Sequence, residues 1–143
     1  MEAVLPLRHE VLRATRPFDS AKAKQDRDPA TLHLAAFVDD SIVGVVTQFP
    51  DATSLAPGAV AERFRGMAVA PWWQGRGIGR QLMRAVRDLA RARGADLLWA
   101  NGRDTALPFY ESLGFHVVGE GFVDNEMHLG HHVVLARIDE RRL

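Results

Sequence analysis

The chain contains no cysteine. That excludes disulfides, thiolate metal sites and a cysteine nucleophile together. Lysine is nearly absent, since Lys22 and Lys24 are the only two, and none follows a glycine loop as a P-loop requires. Tyrosine occurs once, as Tyr110. No apolar run approaches the roughly 20 residues that span a bilayer, and Met1-Glu-Ala-Val-Leu-Pro6 lacks the make-up of a secretory signal. Charge of either sign is not in excess, because 18 Lys and Arg balance 18 Asp and Glu. No basic surplus exists to attract nucleic acid or an anionic membrane. With 143 residues, 47% hydrophobic and 25% charged, the expectation is one cytoplasmic globular domain spanning residues 1–143.

What is present is concentrated in one stretch, residues 65–83. Residues 65–69 form a short run with Val at its end, stopped by Pro71, which cannot donate to a central ladder. Gln74 to Gly79 is a loop with glycine at alternate positions, Gly75, Gly77 and Gly79. From Ile78 a helical period sets in, with Ile78, Leu82, Val86 and Leu89 or Ala90 on one face and Gly94 as the C′ residue. A strand feeding a glycine loop feeding a helix is suited to an anion. Glycine lets the backbone turn tightly, and the first helical N–H groups have no intrahelical partner. The helix dipole adds to their pull. Arg76 and Arg80 sit at the positive end of that dipole, an unfavourable place for a cation unless an anion is bound. The dinucleotide fingerprint is not met, because the third glycine comes one residue early.

Around this stretch the pattern reads as alternating elements. Residues 5–16 carry Leu5, Leu7, His9, Val11 and Leu12 at helical spacing, with Pro6 suited to N1 and Pro17 as the stop. Residues 18–31 are polar and read as a loop. Residues 32–38 and 42–49 are β-branched and apolar, joined by Asp39-Asp40-Ser41 as a hairpin; Gly44 marks a bulge or a close backbone approach, and His33 reads as a satisfied core residue. Residues 50–62 form a loop and 63–69 a strand. Residues 95–101 are the next strand, parallel to 63–69 through a right-handed crossover. A short helix over 105–113 has Asp104 as its N-cap and Gly114 as C′. Strands over 115–119 and 132–138, linked by residues 120–130, form a hairpin at the sheet edge. The fold class is α/β with a single mixed sheet and helices on both faces.

Two segments carry a family likeness. Gln74-Gly-Arg-Gly77-Ile-Gly79, after a strand and Pro71, resembles the acetyl-CoA signature of the GNAT superfamily of N-acetyltransferases. Ala106-Leu-Pro-Phe-Tyr110-Glu-Ser-Leu-Gly-Phe115 is similar to the segment that follows it in many of these enzymes. The resemblance implies a GNAT-like, mostly antiparallel sheet whose parallel strand pair splays to admit CoA. It implies transfer of an acetyl group from acetyl-CoA, as co-substrate, to a primary amine by direct attack. Backbone groups of Met67, Ala68 and Val69 would meet pantetheine, and Gln74, Gly75, Arg76, Gly77, Ile78, Gly79 and Arg80 the pyrophosphate. Asn101 and Phe109 complete the cofactor set, and Tyr110 is the implied general acid toward the CoA thiolate. The acceptor would be a small-molecule or peptide amine, with no nucleic acid, membrane or metal involved; monomer or homodimer stays open.

The likeness has gaps that bear on mechanism. Leu98 stands where several relatives place a Glu as general base, and Arg103 where many have an Asn. Too few residues precede Pro6 for the strand that usually opens this fold. The base is therefore unassigned, with Glu62, Asp124, Glu126, a His or a water relay open. His128-x-x-His131-His132 would suit a metal on a helix, but on a strand His131 and His132 point to opposite faces, and one of the three instead lines the acceptor pocket. Two further readings compete with the enzyme: a CoA-binding regulatory module, and an interaction domain without cofactor.

Overall fold

The computed structural model describes residues 2–12, 23–124 and 127–139. In chain order the elements are α1 (Leu5–Leu12), β1 (Leu32–Val38), β2 (Ser41–Pro50), β3 (Ala61–Val69), α2 (Ile78–Ala92), β4 (Leu97–Arg103), α3 (Leu107–Ser112), β5 (His116–Val123) and β6 (Gly130–Arg137), with 3-10 turns at Pro71–Trp73 and Asp104–Ala106. The strands hydrogen-bond in the order β1-β2-β3-β4-β6-β5. The sheet is mixed and open, as expected. The strand β3 begins two residues earlier than its sequence pattern indicates and so includes Glu62. Residues 13–16 of the expected first helix, and residues 18–22 of the expected loop after it, lie outside the described residues. Among the described residues no helix is long and apolar enough to cross a membrane.

The chain divides into two units, Met1–Pro50 with Phe64–Val86, and Asp51–Arg63 with Arg87–Leu143. In the first, β1 and β2 form the hairpin expected around Asp39, which takes a left-handed φ of 52°. The register slips between Ala36 and Phe37, opposite Gly44. Gly44 is also a close approach: a Cβ there would lie 2.9 Å from Ile78 Cγ2 and 3.0 Å from Leu82 Cδ1. Both readings of that glycine hold. Val4, Leu7, Val45 and Ala68 form an apolar cluster in this unit.

The same unit buries a charge network. Arg8 Nη1 donates to Asp26 Oδ2 at 2.8 Å, and Arg8 Nη2 donates to Thr47 Oγ1 at 2.7 Å. His33 Nε2 donates to the Asp26 carbonyl at 2.9 Å and its Nδ1 lies 2.9 Å from Thr47 Oγ1, which satisfies both ring nitrogens. Gly66, inside β3 with φ +64°, makes room for this network, since a Cβ there would sit 2.7 Å from Arg8 Nε. A left-handed residue inside a strand takes Met67 to Val69 out of the regular pleat.

In the second unit, β3 and β4 pair in parallel over Ala61↔Leu97, Glu62↔Leu98 and Arg63↔Trp99, while β3 continues to Val69 and β4 to Arg103. The β4–β6 and β5–β6 pairs are antiparallel. Ala61, Leu97 and Trp99 form a core cluster, and Trp99 Nε1 donates to the Asp51 carbonyl at 2.7 Å. The span 120–130, expected as a connection, is strand at residues 120–123 and at Gly130, so the link between β5 and β6 is shorter than expected. The register shift between Val118 and Phe122, with Gly119 at φ +75°, absorbs the glycines as an irregularity in β5 instead of a loop. The expected N-cap at Asp104 is also corrected. No side chain caps the turn at 104–106 or α3, because the Asp104 carboxylate is engaged elsewhere.

The buried pair gives a stability prediction. Burial alone raises the Asp26 pKa, but the Arg8 hydrogen bond, the Ala23 N–H and the charges of Arg8 and His33 together hold it below 3.8. A depressed carboxylate contributes stability that is present above its unfolded value and lost as pH falls through its folded value. Asp26→Asn should cost about 3–5 kcal/mol near neutral pH by urea denaturation, because the Arg8 charge stays buried. The gap to the parent should narrow as pH falls below 3.8. Equal stabilities at neutral pH would contradict this account of the network.

Candidate active site

The first unit carries the expected cofactor loop. β3 ends at Val69, the chain passes through the 3-10 turn Pro71–Trp73, and α2 starts at Ile78. Gly75 and Gly77 take left-handed φ of +76° and +84°, while Gly79 lies within the helix. The alternate glycines thus have two roles: two permit the turn, and the third lies in the first turn of α2. The first bond into the helix runs from Gln81 N–H to the Gly77 carbonyl at 3.1 Å. Among the described residues, none of the backbone N–H groups from Gly75 to Arg80 donates a hydrogen bond. Ordinarily a row of such donors is met by water or by an anion.

The side chains around the loop brace it. Gln74 Nε2 donates to the Val69 carbonyl at 2.9 Å, which ties the loop back to the end of β3. Ala70 N–H donates to the Val43 carbonyl at 2.8 Å. The Arg76 guanidinium lies 4.9 Å from the centre of the Trp73 ring, a cation–π contact. Arg80 is exposed at the helix start. Ala68 is 2% exposed and Ile78 is 9% exposed, so these two present only backbone. Met67 and Val69 are half-buried on β3.

The second unit carries Asn101, Phe109 and Tyr110. Asn101 is exposed on β4, opposite Val133. Tyr110, on α3, is buried, with Phe109 edge-on at 5.2 Å and Phe115 edge-on at 5.8 Å. Its ring packs on the backbone of Gly102, where a Cβ would come within 3.3 Å of Cδ2 and Cε2. Burial pushes the phenol pKa up to about 12, against the opposing pull of Arg103. The group therefore keeps its proton throughout the neutral range. The helix ends on Gly114, with Phe115 N–H returning to the Tyr110 carbonyl at 3.1 Å.

The candidates for a base are sorted by the same unit. Leu98 is fully buried. Glu62 is buried and faces Arg93 Nε at 3.5 Å. Asp124 accepts from the N–H groups of Met127 and Leu129, and Glu126 lies outside the described residues. His128 takes a left-handed φ of 56°. His131 Nδ1 meets the Leu129 carbonyl at 2.8 Å and its ring stacks on Phe122. His132 Nδ1 lies 2.7 Å from Asp104 Oδ1. Among the described residues no three His, Asp or Glu converge on a metal position. Sequence reasoning missed the Asp104–His132 pair because Asp104 also has the ordinary signature of a helix cap.

Known proteins resemble the chain along most of its length. Residues 9–132 match the family model of the acetyltransferase (GNAT) domain. An N-acetyltransferase of Bacillus subtilis, YitI, itself uncharacterized, is 27% identical over 135 residues, covering 94% of this chain and 89% of its own. An aminoglycoside 6'-N-acetyltransferase solved with coenzyme A superposes with a TM-score of 0.79 at 15% identity, covering 98% of this chain and 91% of that one. FeeM, an N-acyl amino acid synthase from uncultured soil microbes, gives 0.77 at 13% identity over 97% and 91%. At these identities the two structures speak for the fold.

Tyr110 is the only tyrosine, so its phenolate absorbance reports it alone. The titration should have its midpoint near 12 and not at the ordinary 10.0. A raised folded-state pKa means that folding is pH-independent here below 10 and loses stability as pH rises toward 12. Tyr110→Phe should remove a loss of about 3 kcal/mol across that window, the equivalent of two pKa units. A midpoint at the ordinary value would show that the phenol is open to water.

Proposed function

The chain belongs to the GNAT family of acetyltransferases, and from that membership we propose that it moves an acetyl group from acetyl-CoA to a primary amine by direct attack, with Tyr110 as general acid. On this reading residues 1–143 act as one acetyltransferase domain. The observation that carries it is the run of undonated N–H groups from Gly75 to Arg80, set at two left-handed glycines and a helix start. These donors suit the CoA pyrophosphate, with charge-assisted bonds and the positive end of α2 acting together. Backbone groups of Met67 and Val69 suit the pantetheine amides, in the manner of an added strand. Ala68 and Ile78 contribute backbone only, Gln74 holds the loop in shape, and Asn101 and Phe109 complete the cofactor contacts.

The chemistry then needs little from the protein beyond placement and proton transfer. A neutral amine attacks the thioester carbonyl, the C–N bond forms, and the C–S bond breaks. The leaving sulfur takes the proton of Tyr110, and the excess proton on the new amide nitrogen returns to the phenolate through solvent. With its pKa held up at about 12 by burial, the phenol enters the reaction protonated throughout the neutral range, and it must give up that proton as charge builds on the sulfur. The acceptor is a primary amine of a small molecule or a peptide, a class that includes the aminoglycoside acceptors named for one structural neighbour.

Tyr110→Phe keeps the ring and its contacts with Phe109, Phe115 and Gly102. Acetyl-CoA affinity should stay nearly unchanged while turnover with an amine falls by about 10²–10⁴. Calorimetry and CoA release under saturating acetyl-CoA measure the two separately. A Phe variant within a few-fold of the parent rate would remove Tyr110 from the mechanism.

A further inference from the structure

Strand pairing in the second unit places two chemistry-bearing groups on one face. His132 on β6 lies directly opposite Gly102 on β4, and side chains at directly opposed positions share a face of the sheet. A Cβ on Gly102 would touch the Tyr110 ring at 3.3 Å and Val134 Cγ1 at 3.5 Å. Val134 is two residues from His132 on the same strand, so it too lies on that face. His132 and Tyr110 thus belong to the same side of the β4–β6 ladder.

The histidine is held in one orientation. Its Nδ1 lies 2.7 Å from Asp104 Oδ1. A carboxylate can only accept, so Nδ1 carries the proton and the neutral ring offers its lone pair at Nε2. Two glycines clear the space for this pair. A Cβ on Gly121 would lie 2.7 Å from His132 Cε1 and 2.9 Å from Nε2, and a Cβ on Gly130 would lie 2.6 Å from Asp104 Oδ2. Among the described residues Nε2 has no hydrogen-bond partner, and the side chain is 29% exposed. The carboxylates weighed as bases are committed elsewhere, Glu62 beside Arg93 and Asp124 to two loop amides.

We propose that His132, oriented by Asp104, is the general base that takes a proton from the acceptor ammonium. This rests on the acetyl-transfer reading above. The ammonium gives one proton to His132 Nε2 and becomes a neutral amine, which attacks the thioester carbonyl carbon. The C–N bond forms, the C–S bond breaks, and the thiolate takes the proton of Tyr110 Oη. The remaining excess proton on the new amide nitrogen returns to the phenolate through solvent, and His132 releases its own to bulk water. His132 is the catalytic group here, and Asp104 positions it. Asp104, from the turn before α3, is the titratable group in contact with the ring; Tyr110 lies on the shared face and feels the charge of Arg103 at the end of β4, while Gly102 and Gly121 carry no charge.

The test compares the parent, His132→Gln and Asp104→Asn in CoA release from acetyl-CoA. The probes are three protonated primary amines, kanamycin, spermidine and glycinamide, and hydroxylamine, which is already neutral at pH 7. His132→Gln should lower kcat with the protonated amines by about a hundredfold or more at pH 7. Its rate with hydroxylamine should stay within a few-fold, and the deficit should shrink as pH rises and water deprotonates the amines. Asp104→Asn should show the same split at about a tenth of the parent rate, since an amide NH₂ can donate to Nδ1 and select the wrong tautomer. It carries the test alone if His132→Gln fails to fold by circular dichroism. Equal losses with hydroxylamine and the protonated amines, or no loss with either, would overturn the proposal. A parent that releases CoA with none of the probes fails the acetyl-transfer reading instead.

Discussion

The left-handed turn at Gly75 and Gly77 is the constraint on which the cofactor side of this protein depends. At φ +76° and +84° an L residue costs roughly 1–2 kcal/mol. The glycines remove that cost and let the backbone reverse between Val69 and Ile78 with its N–H groups pointing away from any internal acceptor. Gln74 closes the turn from inside by donating to the Val69 carbonyl. Without this geometry α2 would begin with the same four orphan amides as any helix. With it, the donors from the loop and from the first helical turn form one continuous run. Arg76 and Arg80, placed where the helix dipole disfavours cations, make sense beside a bound anion.

A second theme recurs in each unit: a glycine standing where a polar side chain needs the space of a Cβ. Gly66 admits Arg8 to its buried contacts with Asp26 and Thr47. Gly121 and Gly130 admit His132 and Asp104. Gly102 does the same for the Tyr110 ring. In the first case the outcome is structural, since Arg8 and Asp26 are both at most 5% exposed and the charge is matched in place. In the second case Nε2 is left open on a half-buried side chain, which is what the proposed base requires. Exposure and an unmatched lone pair separate a site from a brace here.

The sequence carried the fold and the location of the loop well. The period from Ile78 to Ala90, the stop at Gly94 and the hairpin at Asp39 all appear where their patterns place them. The resemblance around Gln74 and Tyr110 pointed to the family that the match over residues 9–132 establishes. What was not legible has a physical cause in each instance. Residues 120–130 are glycine-rich and look like one loop, yet β5 runs on to Val123 through a strand irregularity at Gly119, which leaves a shorter link to β6. Asp104 looks like a helix cap, and only pairing between β4 and β6 brings His132 within its reach. Gly66 gave no signal, because the side chain that needs its space is 58 positions away in sequence, at Arg8.

The central claim is that the β3–α2 loop holds acetyl-CoA through its backbone donors. The most direct measurement is calorimetric titration of acetyl-CoA into the parent, Gly77→Asn and Gly77→Asp. Asn tolerates the left-handed conformation and is close to Asp in size, so the pair isolates charge. A Cβ at Gly77 meets nothing within 4 Å, and the left-handed φ of +84° strains both variants alike. The account predicts that Gly77→Asn binds within about tenfold of the parent and that Gly77→Asp loses a hundredfold or more, about 3 kcal/mol. Equal affinity for Asn and Asp variants would contradict it and place the cofactor phosphates elsewhere.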